Sequence, residues 1–361
     1  MPGVLPDVGG DEMSGAKDDN DVLKEQGRAA LDPMADLVPL YPSGMADQIA
    51  TLEQCRLQEF YRAATTRMLD RACGHERPLR LPWPEVNEAL SGGLWPGLHV
   101  LVGNTGSGKS QWALQVALFG VCDGRGRKRS NVPVLYLGLE LGHTDLVARL
   151  LGLITYQRWS DLYLGKNEAL IRAAMRHGAG LPDLPFHLEV ASPMGWDYAT
   201  LYNSVKAMRH RYPNGPLLVV LDYLQLVAGE GRDLRERIGR ASYQARAAAR
   251  DFDSTVLLLS STARENYASL SGEDGQGLGE GSTARFVGLG KEAGEIEYAA
   301  DSVLVLAAQP FKDEEPRPTR RKVFLAIAKI RAGQPSWVEM EFDGSRFYSP
   351  NEPPRHVGME W

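Results

Sequence analysis

The chain has 361 residues, 43% of them apolar, enough to bury a large core, so one sizeable domain with appendages is expected. A formal charge of −6 does not advertise a nucleic-acid binder, although a basic patch can sit inside an acidic total. The three cysteines, Cys55, Cys73 and Cys122, lie far apart with no CxxC pair, which argues against a disulfide framework or a zinc site and fits a reducing cytoplasm.

The N-terminus is acidic and lacks an apolar h-region, so it is not a secretory signal. No uncharged apolar run reaches the ~18 residues of a membrane span, and a soluble cytoplasmic protein with no membrane partner is expected. Residues 1–44 are rich in Pro, Gly and Asp without sustained periodicity. They read as a mostly disordered acidic tail, with a short helix near 21–31. Over 45–73, Ile49, Leu52, Leu57, Phe60, Tyr61, Ala64, Met68 and Leu69 recur at helical spacing and Gly74 follows as a stop. This amphipathic helix packs either on its own domain or on a neighbour; its isolation before the Pro-punctuated "RPLRLPWPEV" leaves both open.

From about residue 97, apolar strands alternate with helices. Strands are predicted at 98–103, 133–139, 186–190, 217–222, 255–260, 302–307 and 323–330. Helices are predicted at 109–121, 144–157, 166–177, 198–211 and 234–251. Near-continuous Val/Leu strands alternating with helices imply an α/β domain over 75–349, with a mostly parallel sheet covered on both faces. The last two strands are joined by a polar, Pro-rich loop without a helix, so they should form an antiparallel hairpin. Residues 263–290 are Gly-rich and irregular, and a loop of that length is usually functional or disordered. Residues 350–361 read as a tail.

The first strand runs into "GNTGSGKS", which fills the pattern GxxxxGK[ST]. Gly103, Asn104, Thr105, Gly106, Ser107 and Gly108 supply a turn whose backbone N–H groups can wrap phosphates. Lys109 reaches the β and γ phosphates of ATP, Ser110 binds Mg²⁺, and the helix N-terminus favours the negative charge. Asp222 ends the apolar strand "LLVVLD". A carboxylate there is costly unless a cation or metal answers it, and the C-terminal strand ends of an open parallel sheet form the ligand crevice. Beside a P-loop, a role in holding Mg²⁺ outweighs that of a helix cap. Glu140 closes "VLYLGLE" in the same way. From position it is either a residue that orients the attacking water or a solvated glutamate ahead of a helix that Thr144 would cap.

Together these motifs resemble the C-terminal, RecA-like ATPase domain of the DnaB-type replicative helicases over roughly residues 78–349. "SGGLWPG" looks like the turn leading into the family's P-loop, "LYLGLELGHTDLVARLL" like its second block, and "VVLDYLQLV" like its Walker B block. "KEAGEIEYAADSVLVL" is similar to the block before the penultimate strand, and "IAKIRAG" to the lysine-x-arginine strand. The resemblance implies that Glu140 is catalytic. It also implies that Lys329 and Arg331, which alternation puts on one side of an extended strand, reach the γ-phosphate bound by a neighbouring subunit. The helix at 45–74 matches the family's linker helix, which docks on the adjacent ATPase domain of a ring, expected to be a hexamer. Three departures stand out: no globular N-terminal domain precedes that helix, Ser261 replaces a glutamine, and the loops expected to line the pore are weakly basic. Arg264 and Arg285 in 263–290, and Arg232 and Arg235 in 228–237, are the candidate DNA contacts, offset by neighbouring acids.

The expected function is an ATP-hydrolysing ring motor, a helicase or translocase on single-stranded DNA, serving a phage, plasmid or other mobile element. The alternative is a nucleotide-dependent assembly or regulatory ring with little DNA grip, whose protein partner binds the acidic tail. A recombination-type RecA relative comes third, disfavoured by the linker-like helix and the order of blocks.

Overall fold

A computed structural model describes residues 57–122, 132–190, 198–224, 234–261, 298–308, 320–350 and 352. The chain divides into two units, residues 1–77 and 78–361. In the first, helix α1 spans Leu57–Ala72. The predicted helix at 45–73 is described only over this part, and residues 45–56 lie outside it. Gly74, at φ 74°, takes the left-handed conformation that ends a helix, and Arg67 and Arg71 both bond the Glu76 carboxylate just beyond it. Leu57, Phe60, Tyr61, Met68 and Leu69 are all more than half exposed.

In the second unit a short helix α2 (Pro84–Ala89) precedes strand β1 (Gly97–Gly103) and helix α3 (Lys109–Val121). Then come β2 (Val134–Gly138), α4 (His143–Thr155), α5 (Trp159–Tyr163), α6 (Glu168–His177) and β3 (Phe186–Val190). After these follow α7 (Tyr198–Arg211), β4 (Leu218–Asp222), α8 (Leu234–Asp251) and β5 (Thr255–Ser261). The chain closes with β6 (Ser302–Ala308), β7 (Arg321–Ile330), β8 (Ser336–Phe342) and β9 (Phe347–Tyr348). The strands form one nine-stranded sheet in the order β3-β2-β4-β5-β1-β6-β7-β8-β9. From β3 to β6 all pairings are parallel; from β6 to β9 all are antiparallel.

The expected hairpin is therefore β6–β7, and β8 and β9, which the sequence pattern does not predict, extend it. Alternation sorts the strand residues into two cores. Leu101, Tyr136, Val220, Leu257 and Leu304 face α3 and α4; Val100, Leu137, Val219, Leu258 and Val305 face α7 and α8. Thr144 does not cap α4: that helix begins at His143, with Gly142 at the cap position and no side-chain cap. Helix α6 starts at Glu168 because Asn167 Oδ1 accepts the Leu170 N–H. The register slips by one residue where β7 meets Val303 and Leu304, so Lys329 opposes Val303 while Ile327 opposes Leu304. Among the described residues no helix is long and apolar enough to cross a membrane.

Candidate nucleotide site

Strand β1 delivers Gly103 to the C-terminal edge of the parallel strands, and the turn 104–108 carries the chain into α3. Gly108 needs its glycine twice over. Its φ is 98°, and an added Cβ would lie 2.8 Å from the Phe347 ring, which stacks on Phe342 with centroids 4.2 Å apart. The Asn104 Oδ1 and Ser107 Oγ atoms are buried, with no hydrogen-bond partner among the described residues. Lys109 Nζ folds back onto the Gly103 and Asn104 carbonyls at 2.8 and 3.0 Å. Burial pushes this amine down to about 8, against the pull of the Asp222 and Glu140 carboxylates. A desolvated cation resting on carbonyls, over orphaned polar atoms, fits an anion of phosphate's size and charge.

Asp222 and Glu140 reach the same place from adjacent strands. Gly138 of β2 stands opposite Asp222 of β4, and the Leu139 N–H donates to the Asp222 carbonyl at 2.7 Å. Asp222 is 2% exposed and makes no ion pair among the described residues. Burial raises its carboxyl above the usual range, opposed by the Tyr136 hydrogen bond, the nearby Ser110 hydroxyl and the charges of Lys109 and Arg149. Glu140 is likewise raised, first by burial and then by the Asp222 charge. A buried carboxylate with no ion pair among the described residues, next to Ser110, suits a hydrated divalent cation shared with phosphate oxygens. No group of three or more His, Cys, Asp or Glu side chains forms a metal cage among the described residues. Mg²⁺ is commonly held in this way, by a carboxylate and substrate phosphates.

A cavity of about 670 Å³ brings together Thr105, Gly106, Gly108, Lys109, Ser110, Glu140 and Asp222. Gly103 ends β1, and Asn104 and Ser107 belong to the adjoining turn. Ser261, opposite Gly103 in the β1–β5 register, lines the same cavity. Sequence reasoning assigned no role to three further residues here. Arg149 of α4 lies over the Trp159 ring at 3.7 Å, donates to Gln111 Oε1, and approaches Asp145 at 3.8 Å. Burial lowers its pKa, so it is a desolvated cation beside Glu140 and Asp222. Arg321, the first residue of β7, donates to the Gly106 carbonyl at 2.7 Å. Tyr136 donates to Asp222 Oδ2 at 2.7 Å. The visible signals were a tyrosine amid the aliphatic residues of β2 and an arginine among the apolar residues of α4.

Lys329 and Arg331 are not brought to this cavity. Strand β7 runs antiparallel, so its end lies at the opposite edge of the sheet, where Arg331 Nη1 meets Asp301 Oδ1 at 2.8 Å. The strand ends at Ile330, so alternation places Lys329 but does not extend to Arg331, one residue beyond. From the level of Leu98, beside Asp301, to Gly103 is roughly 16 Å along β1 at ~3.3 Å per residue. Arg232, Arg264 and Arg285 lie outside the described residues; Arg235 lies in the first turn of α8, its side chain outside them.

The model of the DnaB-like helicase C-terminal domain family matches residues 83–348. A search among curated proteins returned no match. Among solved structures, the chain is similar to one titled as an ATPase domain, at 17% identity and a TM-score of 0.64, covering 80% of this chain and 98% of that one. It is similar as well to a DnaB-like replicative helicase whose structure is titled together with its interactions with primase, at 16% identity and a TM-score of 0.64, covering 88% of this chain and 73% of that one. The mixed, mostly parallel sheet accords with these RecA-like folds, and the chain belongs to the DnaB-like helicase C-terminal domain family.

Proposed function

We propose that the chain hydrolyses ATP as the motor domain of a ring that acts on single-stranded DNA. The observation that carries this reading is the convergence of Lys109, Ser110, Glu140 and Asp222 in one cavity while the Lys329–Arg331 pair stands at the other edge of the sheet. Lys109 would leave its carbonyls for the β and γ phosphates, and Ser110 and Asp222 would hold Mg²⁺. When bound, that ion neutralises charge on the phosphate oxygens. Glu140 orients a water for in-line attack on the γ phosphorus and accepts its proton as the bond to the β-phosphate oxygen breaks. Arg149 adds a buried positive charge beside these groups. The cationic pair cannot serve its own subunit's phosphates at that separation, which supports a role at the site of a neighbouring copy. The exposed apolar residues of α1 support docking of this helix on such a copy.

A second reading, a regulatory ring indifferent to DNA, is favoured by Ser261. It lines the nucleotide cavity where the family pattern has a glutamine, and its hydroxyl reaches less far than an amide. Steady-state ATPase assays with and without single-stranded DNA separate the two. The motor reading expects DNA to raise turnover and DNA binding to weaken steeply with salt. Glu140→Gln should keep nucleotide binding and lose at least about a hundredfold in turnover. Turnover unchanged by single-stranded DNA or RNA at low salt, with no binding by the ATP-bound protein, would favour the regulatory ring.

A further inference from the structure

Tyr136 occupies the middle of β2, opposite Val220 on one side and Leu188 on the other. Its whole side chain is buried, and its ring stacks on Phe186 with centroids 6.4 Å apart. The other residues of β2 are Val, Leu, Leu and Gly, which need no partner beyond packing. A phenol in this position must find an acceptor, because a buried unpaired hydroxyl costs about 1–3 kcal/mol. The acceptor is Asp222 Oδ2, at 2.7 Å. A phenylalanine would fill the same space against Phe186 without that requirement, so packing does not account for the hydroxyl.

Asp222 supplies the complementary half of the argument. Its carboxylate lies under the P-loop, nearly inaccessible, with no lysine or arginine at ion-pair distance among the described residues. A carboxylate with no such contact can swing about its last torsion. The Tyr136 hydroxyl, from the neighbouring strand β2, holds this one by Oδ2. With Oδ2 committed to Tyr136, Oδ1 is left for the cavity that Asp222 lines together with Ser110.

We propose that Tyr136 is a positioning residue for the divalent-cation site: its hydroxyl fixes the Asp222 carboxylate in the orientation that meets a nucleotide-bound Mg²⁺. The inference rests on the nucleotide reading above and adds to it a partner outside the P-loop and Walker B motifs. Groups that orient a ligand to a metal commonly contribute ten- to hundredfold in affinity when removed.

The test is Tyr136→Phe in the full chain, with Mn²⁺ as the paramagnetic probe and a non-hydrolysable ATP analogue as the nucleotide. The expected result is about tenfold weaker Mn²⁺ binding in the nucleotide complex. Analogue binding in EDTA should match the parent, and the thermal midpoint should fall by no more than a few degrees, since Asp222 loses one buried hydrogen-bond donor. Mn²⁺ affinity equal to the parent's overturns the inference, and if the midpoint falls at the same time the hydroxyl serves folding alone. A second comparison uses Asp222→Asn: Tyr136→Phe should add little in that background, whereas an undiminished further loss shows that Tyr136 does not act through Asp222 and overturns the inference. A parent chain that binds no analogue, with or without Mn²⁺, removes the nucleotide reading itself, an outcome distinct from a parent that binds and a variant that matches it.

Discussion

Two glycines of the P-loop turn carry the same backbone conformation for different reasons, and substitution should separate them. Gly106, at φ 78°, has open space where a Cβ would go, so Gly106→Ala pays only the left-handed strain, about 1 kcal/mol. Gly108, at φ 98°, would drive a methyl into Phe347 and Phe342, which are buried and stacked and cannot swing away. Gly108→Ala should cost about 3 kcal/mol or more, since strain and overpacking add. Denaturant midpoints of the two variants, with nucleotide-binding titrations alongside, check this. Equal losses would mean that the aromatic floor yields and that the turn alone sets the requirement. The floor itself shows where sequence reading stopped. Phe347 lies 239 positions beyond Gly108 in numbering, and nothing local links them.

At the level of elements, α1 ends in a charged clamp whose strength depends on pH. Glu76 lies between Arg67 and Arg71, whose hydrogen bonds, that of Arg67 foremost, hold its carboxyl down at about 2 against an ordinary 4.5. A lowered folded-state pKa contributes stability fully present above pH 4.5 and lost as pH falls through about 2. Both arginine side chains are about two-fifths exposed. Solvent screening therefore brings the contribution down to about 1 kcal/mol. Glu76→Gln should speed amide exchange at His75 and Glu76, which donate to the Asp70 carbonyl, about fivefold at pH 7. The gap should narrow between pH 4.5 and 2; a gap independent of pH would assign the effect to the turn instead. Such long-range or tip-level contacts separate what was legible from what was not. The parallel strands and helices α3, α7 and α8 stand within a residue or two of their predicted bounds, because their apolar periodicity reports directly on burial. Strand β8 escaped notice because it lies near the sheet's edge, where the half-buried "SWVEMEF" alternates too weakly after a Gly-Gln-Pro turn. The P-loop pattern and the acidic strand ends were readable because they are local in sequence; Arg149, Arg321 and Tyr136 were not, because only the sheet order brings them to the same cavity edge.

For the whole molecule, the separation of the cationic pair from its own P-loop makes a demand on assembly. Lys109→Ala and Arg331→Ala chains should each be nearly inactive alone. Mixed in one ring, they create some junctions in which an intact P-loop meets an intact Arg331, and ATPase activity should return to about a quarter of the parent's if copies mix at random and junctions act independently. Rings shown by mass spectrometry to contain both chains, yet without recovered turnover, would place Arg331 outside the reaction.

Strand β1 gives that demand a mechanical side. At one end Gly103 opens the phosphate turn; at the other, the Leu98 N–H donates to Asp301 Oδ2 while Asp301 Oδ1 grips Arg331. A single pleated rod, about 20 Å long at ~3.3 Å per residue, therefore carries the P-loop turn at its head and, through Asp301, Arg331 at its foot. Under the proposed function, any tilt of the rod on phosphate entry would displace the foot as well. Copies joined in a circle by such rods would be geared to one another, each seat set partly by the occupancy of the one behind it.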